Sequence, residues 1–462
     1  MIRLTLQQVA DAVNGEGVAG PTLDIAGVST DSRRLEPGDL FVALRGEHGD
    51  GHDWIAAAVE AGAAAVMVER DVDVPDAVGI VHVPDTWTAL LDLGGHVRDV
   101  VDPTTVAVTG SVGKTTTKDL AAGALRTGRR TVAASGSFNN ELGVPLTMLD
   151  LAADTEVLLT EVGARSPGDI ARLAERIRPD VAVVTSVAPV HLELFGTIQA
   201  VAATKGELVA ALAPGGAAVL NADDELVMAM TGRAVGIDVI DYGESPSAMV
   251  HMLDIALDEQ ARPTAKLVTP WGDVEVSVPV AGRHNAWNAA AAVAVAGVVG
   301  LDVAAAAEGI AASAVSPWRG EVVDVAGIRF LNDAYNANPV AMRAALATLD
   351  ALATGRRVAV LGLMAEVGSG HDAQHRGVGN AVPGNADVLV VVGEDAVGIA
   401  IGAEDAGMDV TTIHEVADTD RAMSILAELL EPGDTVLVKA SRVGGLERLV
   451  SGWQQRLGDE AS

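Results

Sequence analysis

The feature that most constrains this chain is a glycine loop within residues 106–117. A β-branched apolar run ends at Gly110, and a helical pattern begins near Lys114. A strand, a glycine turn and a helix start in this order let backbone N–H groups surround an anion, and the helix N-terminus adds positive potential. The sequence therefore predicts a nucleoside triphosphate site, with Lys114 on the phosphates and Thr115 as a ligand of Mg2+.

The loop has the short form Gly-Ser-Val-Gly-Lys-Thr, because Val108 occupies the first glycine position of the longer phosphate-loop pattern. The alternative interpretation is an ordinary glycine turn in front of a helix. Glycine, lysine and consecutive threonines at these spacings favour the phosphate site. The predicted nucleotide-binding residues of the loop are Gly110, Ser111, Gly113, Lys114, Thr115 and Thr116.

The length of 462 residues exceeds what one hydrophobic core usually serves, so we expect three domains. Short Val/Leu/Ala runs alternate with helical periods, which predicts an α/β fold. We expect a small α/β domain at 1–102, a central doubly wound parallel-sheet ATPase domain with the phosphate loop at 103–314, and a C-terminal Rossmann-like α/β domain at 315–462.

The amino-acid composition limits the classes of partner and of site that this chain can have. Lys and Arg number 31 against 63 Asp and Glu, and the net charge of -32 opposes binding of nucleic acid or an anionic membrane. An anionic substrate must therefore meet local Lys and Arg. The absence of cysteine excludes disulfides, thiolate metal sites and a cysteine nucleophile. The N-terminus lacks a signal-peptide apolar core, and the apolar runs are too short to span a membrane, so we expect a soluble cytoplasmic protein.

The periodicity predicts the main elements of each domain. Helices are predicted at 6–12, 54–61, 86–100, 198–212, 340–352 and 419–429, and hairpins within 249–279. Strands are predicted at 27–33, 40–44, 64–68, 105–109, 156–160, 181–186, 217–220, 329–331, 358–361, 388–392, 409–413 and 435–439.

Charged side chains follow several strands of the central domain. Lys114, Glu161 and His191 each come just after a predicted strand, and the carboxyl ends of parallel strands meet at one sheet edge. A buried carboxylate needs a charged partner, and Mg2+ suits Glu161. The alternatives are a solvated glutamate for Glu161, a loop imidazole for His191, and an ordinary surface lysine for Lys205 on its predicted helix.

Two asparagines open the alanine-rich helix that follows Gly282. Asn285 and Asn288 are three residues apart, which places them on the same face of that helix.

The whole set of segments resembles the Mur ligases of peptidoglycan synthesis in order and spacing. The resemblance covers essentially the entire chain. It is carried by residues 109–116, 138–145, 161–164, 191–193, 203–208, 282–288 and 332–339. Within the family, residues 138–140, 334–339 and 438–442 are similar to the members that add D-alanyl-D-alanine to UDP-N-acetylmuramoyl-tripeptide.

The resemblance implies roles that the spacing alone does not. Lys114, Lys205 and His191 match catalytic positions, and Lys205 matches a lysine that the family carbamylates. Two Mg2+ sites are implied, with Thr115, Glu161, His191 and carbamylated Lys205 as ligands. ATP contacts are implied at Asn285, Asn288, Arg319 and Asp333. Substrate contacts are implied at Thr30, Asp31, Ser32, Arg33, Gly46, His52, Asn139, Asn140, Tyr335, Asn336, Asn338, Lys439, Ser441 and Arg442.

The resemblance implies an ATP-dependent amide ligase that acts as a monomer on the nucleotide-linked tripeptide and D-alanyl-D-alanine. Another ligase of the same fold, such as a folylpolyglutamate synthase or a different Mur enzyme, is the alternative among enzymes. A nucleotide-dependent switch is the alternative among binding proteins, and it would bind ATP without turnover that depends on an acceptor.

Overall fold

The computed structural model describes residues 1–18, 23–46, 49–190, 192–365 and 367–460. Sheets and helices form three α/β units along the chain, as the periodicity predicts. Within the described ranges, no helix combines the length and apolarity needed to cross a membrane.

The first unit is a small sheet with helices packed around it. Its main sheet has the order β2-β9-β8-β5-β4 and is parallel except for the β2–β9 pair. The strands are β1 Leu4–Thr5, β2 Glu16–Val18, β3 Asp24–Ile25, β4 Gly27–Ser29, β5 Asp39–Val42, β6 Arg45–Gly46, β7 Gly49–Asp50, β8 Ala65–Val68 and β9 Gly79–His82, and the helices are α1 Leu6–Ala12, α2 Ile55–Glu60 and α3 Thr86–Val101.

The second unit contains the large central sheet, in the order β11-β12-β10-β13-β14-β15-β16-β17-β18. Its strands are β10 Thr104–Thr109, β11 Thr131–Ala133, β12 Val157–Glu161, β13 Val181–Val184, β14 Ala217–Asn221, β15 Asp238–Gly243, β16 Val250–Leu257, β17 Pro263–Val268 and β18 Val274–Ser277. Its helices are α4 Lys114–Arg126, α5 Gly143–Leu149, α6 Asp169–Ile177, α7 Leu192–Phe195, α8 Ile198–Ala210, α9 Glu225–Met228, α10 Asn285–Val298 and α11 Val303–Ala311.

The pairing from β11 to β16 is parallel, and the predicted hairpins at 249–279 extend the sheet with the antiparallel strands β17 and β18. Alternate residues of β10 face opposite sides of the sheet. Val106 and Val108 join the core beneath α4 and α10, whereas Ala107 joins a core that continues into the first unit.

The third unit repeats the alternation around a sheet in the order β19-β20-β24-β21-β22-β23, which is antiparallel only between β19 and β20. Its strands are β19 Glu321–Val325, β20 Ile328–Asn332, β21 Arg357–Gly362, β22 Val388–Val392, β23 Ile413–Val416 and β24 Thr435–Lys439. Its helices are α12 Pro339–Leu352, α13 His371–Gly379, α14 Val397–Asp405, α15 Thr419–Leu429 and α16 Glu447–Glu460.

Two predicted strands miss an observed strand end by four residues, and local side-chain bonds explain both. The strand predicted at 27–33 ends at Ser29, because the Asp31 carboxylate accepts from the Arg33 backbone N–H at 3.0 Å. The strand predicted at 409–413 begins only at Ile413, because Asp409 accepts from the Thr411 backbone N–H at 2.9 Å and caps a short 3₁₀ turn. Asp side chains compete in this way with extended pairing.

Candidate active site

The glycine loop connects β10 to α4, as predicted. Gly110 and Gly113 adopt φ values of +149° and +87°, which favour glycine. A Cβ on Gly110 would overlap the Thr185 hydroxyl, and one on Gly113 would lie 2.5 Å from Asn288 Oδ1. The Ser111 backbone N–H donates to the Ser186 carbonyl at 2.8 Å, which fastens the loop to the end of β13.

Lys114 begins α4 with its side chain folded back over the loop. Its Nζ donates to the Gly110 carbonyl at 2.9 Å. Burial lowers the pKa of Lys114, and the Arg319 charge lowers it further, whereas Glu161 opposes the shift. A phosphate oxygen would be a stronger, charge-assisted acceptor for this ammonium than a carbonyl.

Glu161 is the last residue of β12 and is buried, so the alternative of a solvated loop glutamate was wrong. Its Oε2 accepts from the Thr115 hydroxyl at 2.7 Å, and its Oε1 accepts from Asn139 Nδ2 at 2.8 Å. The Thr115 hydroxyl in turn accepts from Ser137 at 2.9 Å, and Ser137 accepts from Arg319 Nη2 at 2.8 Å. This chain of hydrogen bonds joins the glycine loop to the segment that enters the third unit.

Lys205 lies in the middle of α8 and is 2% exposed, so the alternative of a surface lysine was wrong. Burial is the main reason that its pKa falls to about 7, and the nearby Lys114 charge adds to the fall. His191, predicted to stand beside it, lies outside the described residues.

The two asparagines of α10 share a face, as the spacing predicts. Asn288 Nδ2 donates to Asn285 Oδ1 at 2.8 Å, and Asn285 Nδ2 donates to the Ala281 carbonyl at 2.7 Å. The Thr117 hydroxyl donates to Asn288 Oδ1 at 3.1 Å, so α10 is fastened to α4 beside Gly113.

Several predicted third-unit residues already have partners within the fold. Lys439 Nζ pairs with the Asp333 carboxylate at 2.6 Å and donates to the Asn336 carbonyl at 2.9 Å. Asn338 caps α12 through the Val340 and Ala341 backbone N–H groups. The Ser441 hydroxyl, likewise engaged, accepts from the Ala365 backbone N–H at 2.9 Å.

Arg319 and Arg442 each lie over an aromatic ring. The Arg319 guanidinium carbon is 4.0 Å from the centre of the Tyr335 ring, and that of Arg442 is 4.5 Å from the centre of the Trp318 ring. The sequence prediction missed Trp318 and Ser137, because the residues that they contact, Arg442 and Arg319 respectively, are distant from them in the chain.

The predicted residues of the first unit form a separate group. Arg33 makes a two-pronged pair with Asp31, with bonds of 2.9 and 2.8 Å, and this pair holds the pKa of Asp31 at about 2. His52 is buried, with Nδ1 at 2.6 Å from Asp50 Oδ1 and Nε2 accepting from the Glu69 backbone N–H. Both ring nitrogens of His52 are therefore occupied by the fold.

A cavity of about 990 Å³ lies between the second and third units. The predicted residues that line it are Gly110, Ser111, Gly113, Lys114, Thr115, Thr116, Asn139, Asn140, Glu161, Lys205, Asn285, Asn288, Arg319, Asp333, Tyr335, Asn336, Asn338, Lys439 and Arg442. Those that lie outside its lining are Thr30, Asp31, Ser32, Arg33, Gly46, His52 and Ser441. The structure thus gathers the predicted ATP residues and the predicted acceptor residues other than Ser441 around one space, and it leaves the first-unit group outside that space.

Models of one protein family match segments in all three units. Residues 108–296 match the Mur ligase middle domain, residues 318–442 match the Mur ligase glutamate ligase domain, and residues 24–89 match the Mur ligase family catalytic domain. The chain is 39% identical over 494 aligned positions to the UDP-N-acetylmuramoyl-tripeptide–D-alanyl-D-alanine ligase of Mycobacterium bovis, and 96% of each chain is covered.

Solved structures give the same result. A crystal structure of MurF from Acinetobacter baumannii superposes with a TM-score of 0.90 at 30% identity and covers 98% of this chain and 99% of its own. MurF ligase from Thermotoga maritima in complex with ADP has a TM-score of 0.81 at 28% identity and covers 94% of this chain and 98% of its own. With identity of this extent along nearly the whole sequence, the chain belongs to the Mur ligase family.

Proposed function

We propose that this protein is an ATP-dependent ligase that joins D-alanyl-D-alanine to UDP-N-acetylmuramoyl-tripeptide through an acyl phosphate. The observation that carries the proposal is a cavity that is lined both by the glycine loop with Lys114 and by Arg442 and Lys439 of the third unit. The names of the similar proteins supply the two substrates.

The first step transfers the γ-phosphoryl group of ATP. An oxygen of the tripeptide carboxylate attacks the γ-phosphorus, the bond to the bridging oxygen breaks, and ADP leaves. Negative charge spreads over the phosphoryl oxygens in a loose transition state. Lys114 and Arg319 are the cations that would stabilise this charge, and Asn285 and Asn288 are the side chains that would contact the adenine.

The residues around Glu161 suit Mg2+. The Thr115 hydroxyl and the buried Glu161 carboxylate supply adjacent oxygen atoms, and Mg2+ usually takes one or two such groups together with phosphates and water. Within the described part of the chain, no three His, Cys, Asp or Glu side chains form a metal-binding group. Bound Mg2+ supplies charge neutralisation at the phosphates.

Lys205 is the residue that we propose to be carbamylated. Carbamylation requires a neutral amine, and burial that brings the pKa to about 7 leaves much of this amine neutral at physiological pH. The carbamate would present oxygen atoms to a second Mg2+ together with Glu161 and His191. A protonated lysine there would repel a metal ion.

The second step forms the amide. The D-alanyl-D-alanine amine attacks the acyl carbon, and the carbon–oxygen bond to phosphate breaks, which releases inorganic phosphate. Arg442 would hold the dipeptide carboxylate, since a guanidinium matches a carboxylate with two parallel bonds. Lys439, Tyr335, Asn336 and Asn338 would surround this site, with Asn139 and Asn140 on the tripeptide side, and Ser441 would support it from outside the cavity lining.

The UDP end of the substrate would bind to the first unit, at Thr30, Asp31, Ser32, Arg33, Gly46 and His52.

We propose domain boundaries at 102/103 and 314/315, and closure of the third domain on the second to exclude water. We also propose that the protein is a monomer and that it is located in the cytoplasm, where ATP is supplied.

A panel of amine acceptors tests the proposal. Phosphate release would be measured with ATP and, in turn, with matched pairs of acyl donor and amine: UDP-N-acetylmuramoyl-tripeptide with D-alanyl-D-alanine, UDP-N-acetylmuramoyl-L-alanyl-D-glutamate with meso-diaminopimelate, UDP-N-acetylmuramoyl-L-alanine with D-glutamate, and a folate with L-glutamate. We expect turnover with D-alanyl-D-alanine. Turnover with another acceptor alone would indicate a different ligase of this fold, and ATP binding without any acceptor-dependent turnover would indicate a nucleotide switch.

A further inference from the structure

Trp318 has an unusual backbone for a large side chain. Its φ is +61°, in the left-handed region that bulky residues rarely enter. Such strain persists only where surrounding contacts determine the conformation, and it is frequent at functional sites.

The contacts that hold this conformation lie on both sides of Trp318. Its carbonyl accepts from the Tyr335 backbone N–H at 3.2 Å. The next residue, Arg319, donates to Ser137 at 2.8 Å and stacks on the Tyr335 ring. The side chain of Trp318 meets Arg442 instead. One strained dipeptide thus reaches both the Ser137–Thr115–Glu161 chain of hydrogen bonds and the arginine proposed for the acceptor.

Arg442 is held by Trp318 and by a carboxylate. Its guanidinium carbon is 4.5 Å from the centre of the indole ring, within the range of a cation–π interaction. Its Nη1 pairs with the Glu447 carboxylate, whose side chain is 13% exposed. The backbone just before it is fixed as well, because the Ser441 N–H donates to the Leu363 carbonyl at 2.8 Å. The Arg442 side chain is still half exposed at the cavity, and its guanidinium has further N–H groups for a ligand.

We propose that Trp318 is a positioning residue for the acceptor, because its indole face holds the Arg442 guanidinium at the cavity. A side chain that is already held loses less conformational freedom when a carboxylate binds. This inference rests on the proposed function, in which Arg442 binds the carboxylate of the incoming dipeptide. The inference assigns a role in acceptor binding to Trp318, which lies outside the cavity lining.

Steady-state kinetics of Trp318→Leu, Trp318→Phe, Arg442→Ala and the double variant Trp318→Leu/Arg442→Ala test the inference. Leucine keeps the non-glycine backbone and removes the ring face, whereas phenylalanine keeps a face. We expect Trp318→Leu to raise the KM for D-alanyl-D-alanine about fivefold and Trp318→Phe at most about twofold, with the KM for ATP unchanged. The double variant should match Arg442→Ala alone, because Trp318 acts through that arginine.

Trp271→Leu is the matched control. Trp271 lies in the turn between β17 and β18, packs against Gly297 and is absent from the cavity lining, so the same substitution there should leave both KM values unchanged. If Trp318→Leu does not fold, Trp318→Phe decides: a rise in dipeptide KM as large as that of Arg442→Ala overturns the inference.

Additive effects of the Trp318 and Arg442 substitutions on the dipeptide KM would overturn the inference, as would equal rises in KM for ATP and dipeptide. If Arg442→Ala leaves the dipeptide KM unchanged, Arg442 does not bind the dipeptide carboxylate, and the inference about Trp318 is overturned as well. The ligase activity itself would still be established by phosphate release that depends on D-alanyl-D-alanine.

Discussion

The contact between Gly113 and Asn288 allows a sharp test of how the glycine loop is built. Gly113 precedes α4 at φ +87°, and a Cβ there would lie 2.5 Å from Asn288 Oδ1. Gly168 precedes α6 at nearly the same φ, +89°, and a Cβ there would have no atom within 4 Å. Alanine at the two positions therefore introduces the same backbone strain, but only Gly113→Ala adds a steric conflict.

The expected magnitudes follow from the bonds that must move. Left-handed strain at a non-glycine residue costs about 1 kcal/mol, which both variants share. To make room for the new Cβ, Asn288 must move away from Thr117 and Asn285, to which it is bonded at 3.1 and 2.8 Å. Each lost hydrogen bond costs about 1 kcal/mol. We expect about 3 kcal/mol of destabilisation for Gly113→Ala against about 1 kcal/mol for Gly168→Ala.

The assay has two readouts. Urea unfolding midpoints compare the stability of the two variants with that of the parent, and ADP titration by calorimetry compares their affinities. Because Asn288 is proposed to contact adenine, ADP affinity should fall in Gly113→Ala and stay unchanged in Gly168→Ala. Equal destabilisation by the two variants, or unchanged ADP affinity in a folded Gly113→Ala protein, would refute the reasoning.

Four further predictions concern phosphoryl transfer, carbamylation and domain closure. Lys114→Ala should stay folded by circular dichroism and lose about a hundredfold or more in ADP formation, since a phosphate-clamping cation contributes ~3 kcal/mol at the transition state; near-normal turnover would remove Lys114 from catalysis. Lys205→Ala should be inactive and partly restored by acetate or formate. Restoration by amines instead would contradict a carbamate. In the parent, the pKa of about 7 means that the neutral amine accumulates as pH rises through 7, so the rate at which CO2 at constant partial pressure reactivates the decarbamylated enzyme should level off above about pH 8 rather than keep rising towards 10.5. Saturating substrates should compact the protein in small-angle X-ray scattering, and an unchanged profile with confirmed binding would count against domain closure.

Local sequence patterns determined much of the fold. The alternation of β-branched runs with helical periods placed β24 and α15 at the residues where the structure has them. The same holds for the glycine loop, because the left-handed backbone at Gly113 and the helix start at Lys114 depend on residues that are adjacent in sequence. The predicted strand ends were wrong where an aspartate side chain accepts from the backbone N–H two residues further on, as at Asp31 and Asp409.

Which side chains are buried, and which residues they contact, was decided only by the tertiary structure. Lys205 is in a helix whose sequence fits a surface location, yet the packing of α8 makes it almost fully buried and lowers its pKa. The Lys439–Asp333 pair joins residues 106 apart in sequence, and the Ser137–Arg319 bond joins residues 182 apart. Desolvation and side-chain contact depend on which elements meet in space, so no periodicity along the chain encodes them. The sequence therefore determines which residues can do the chemistry, and packing between the units determines which of them share one cavity.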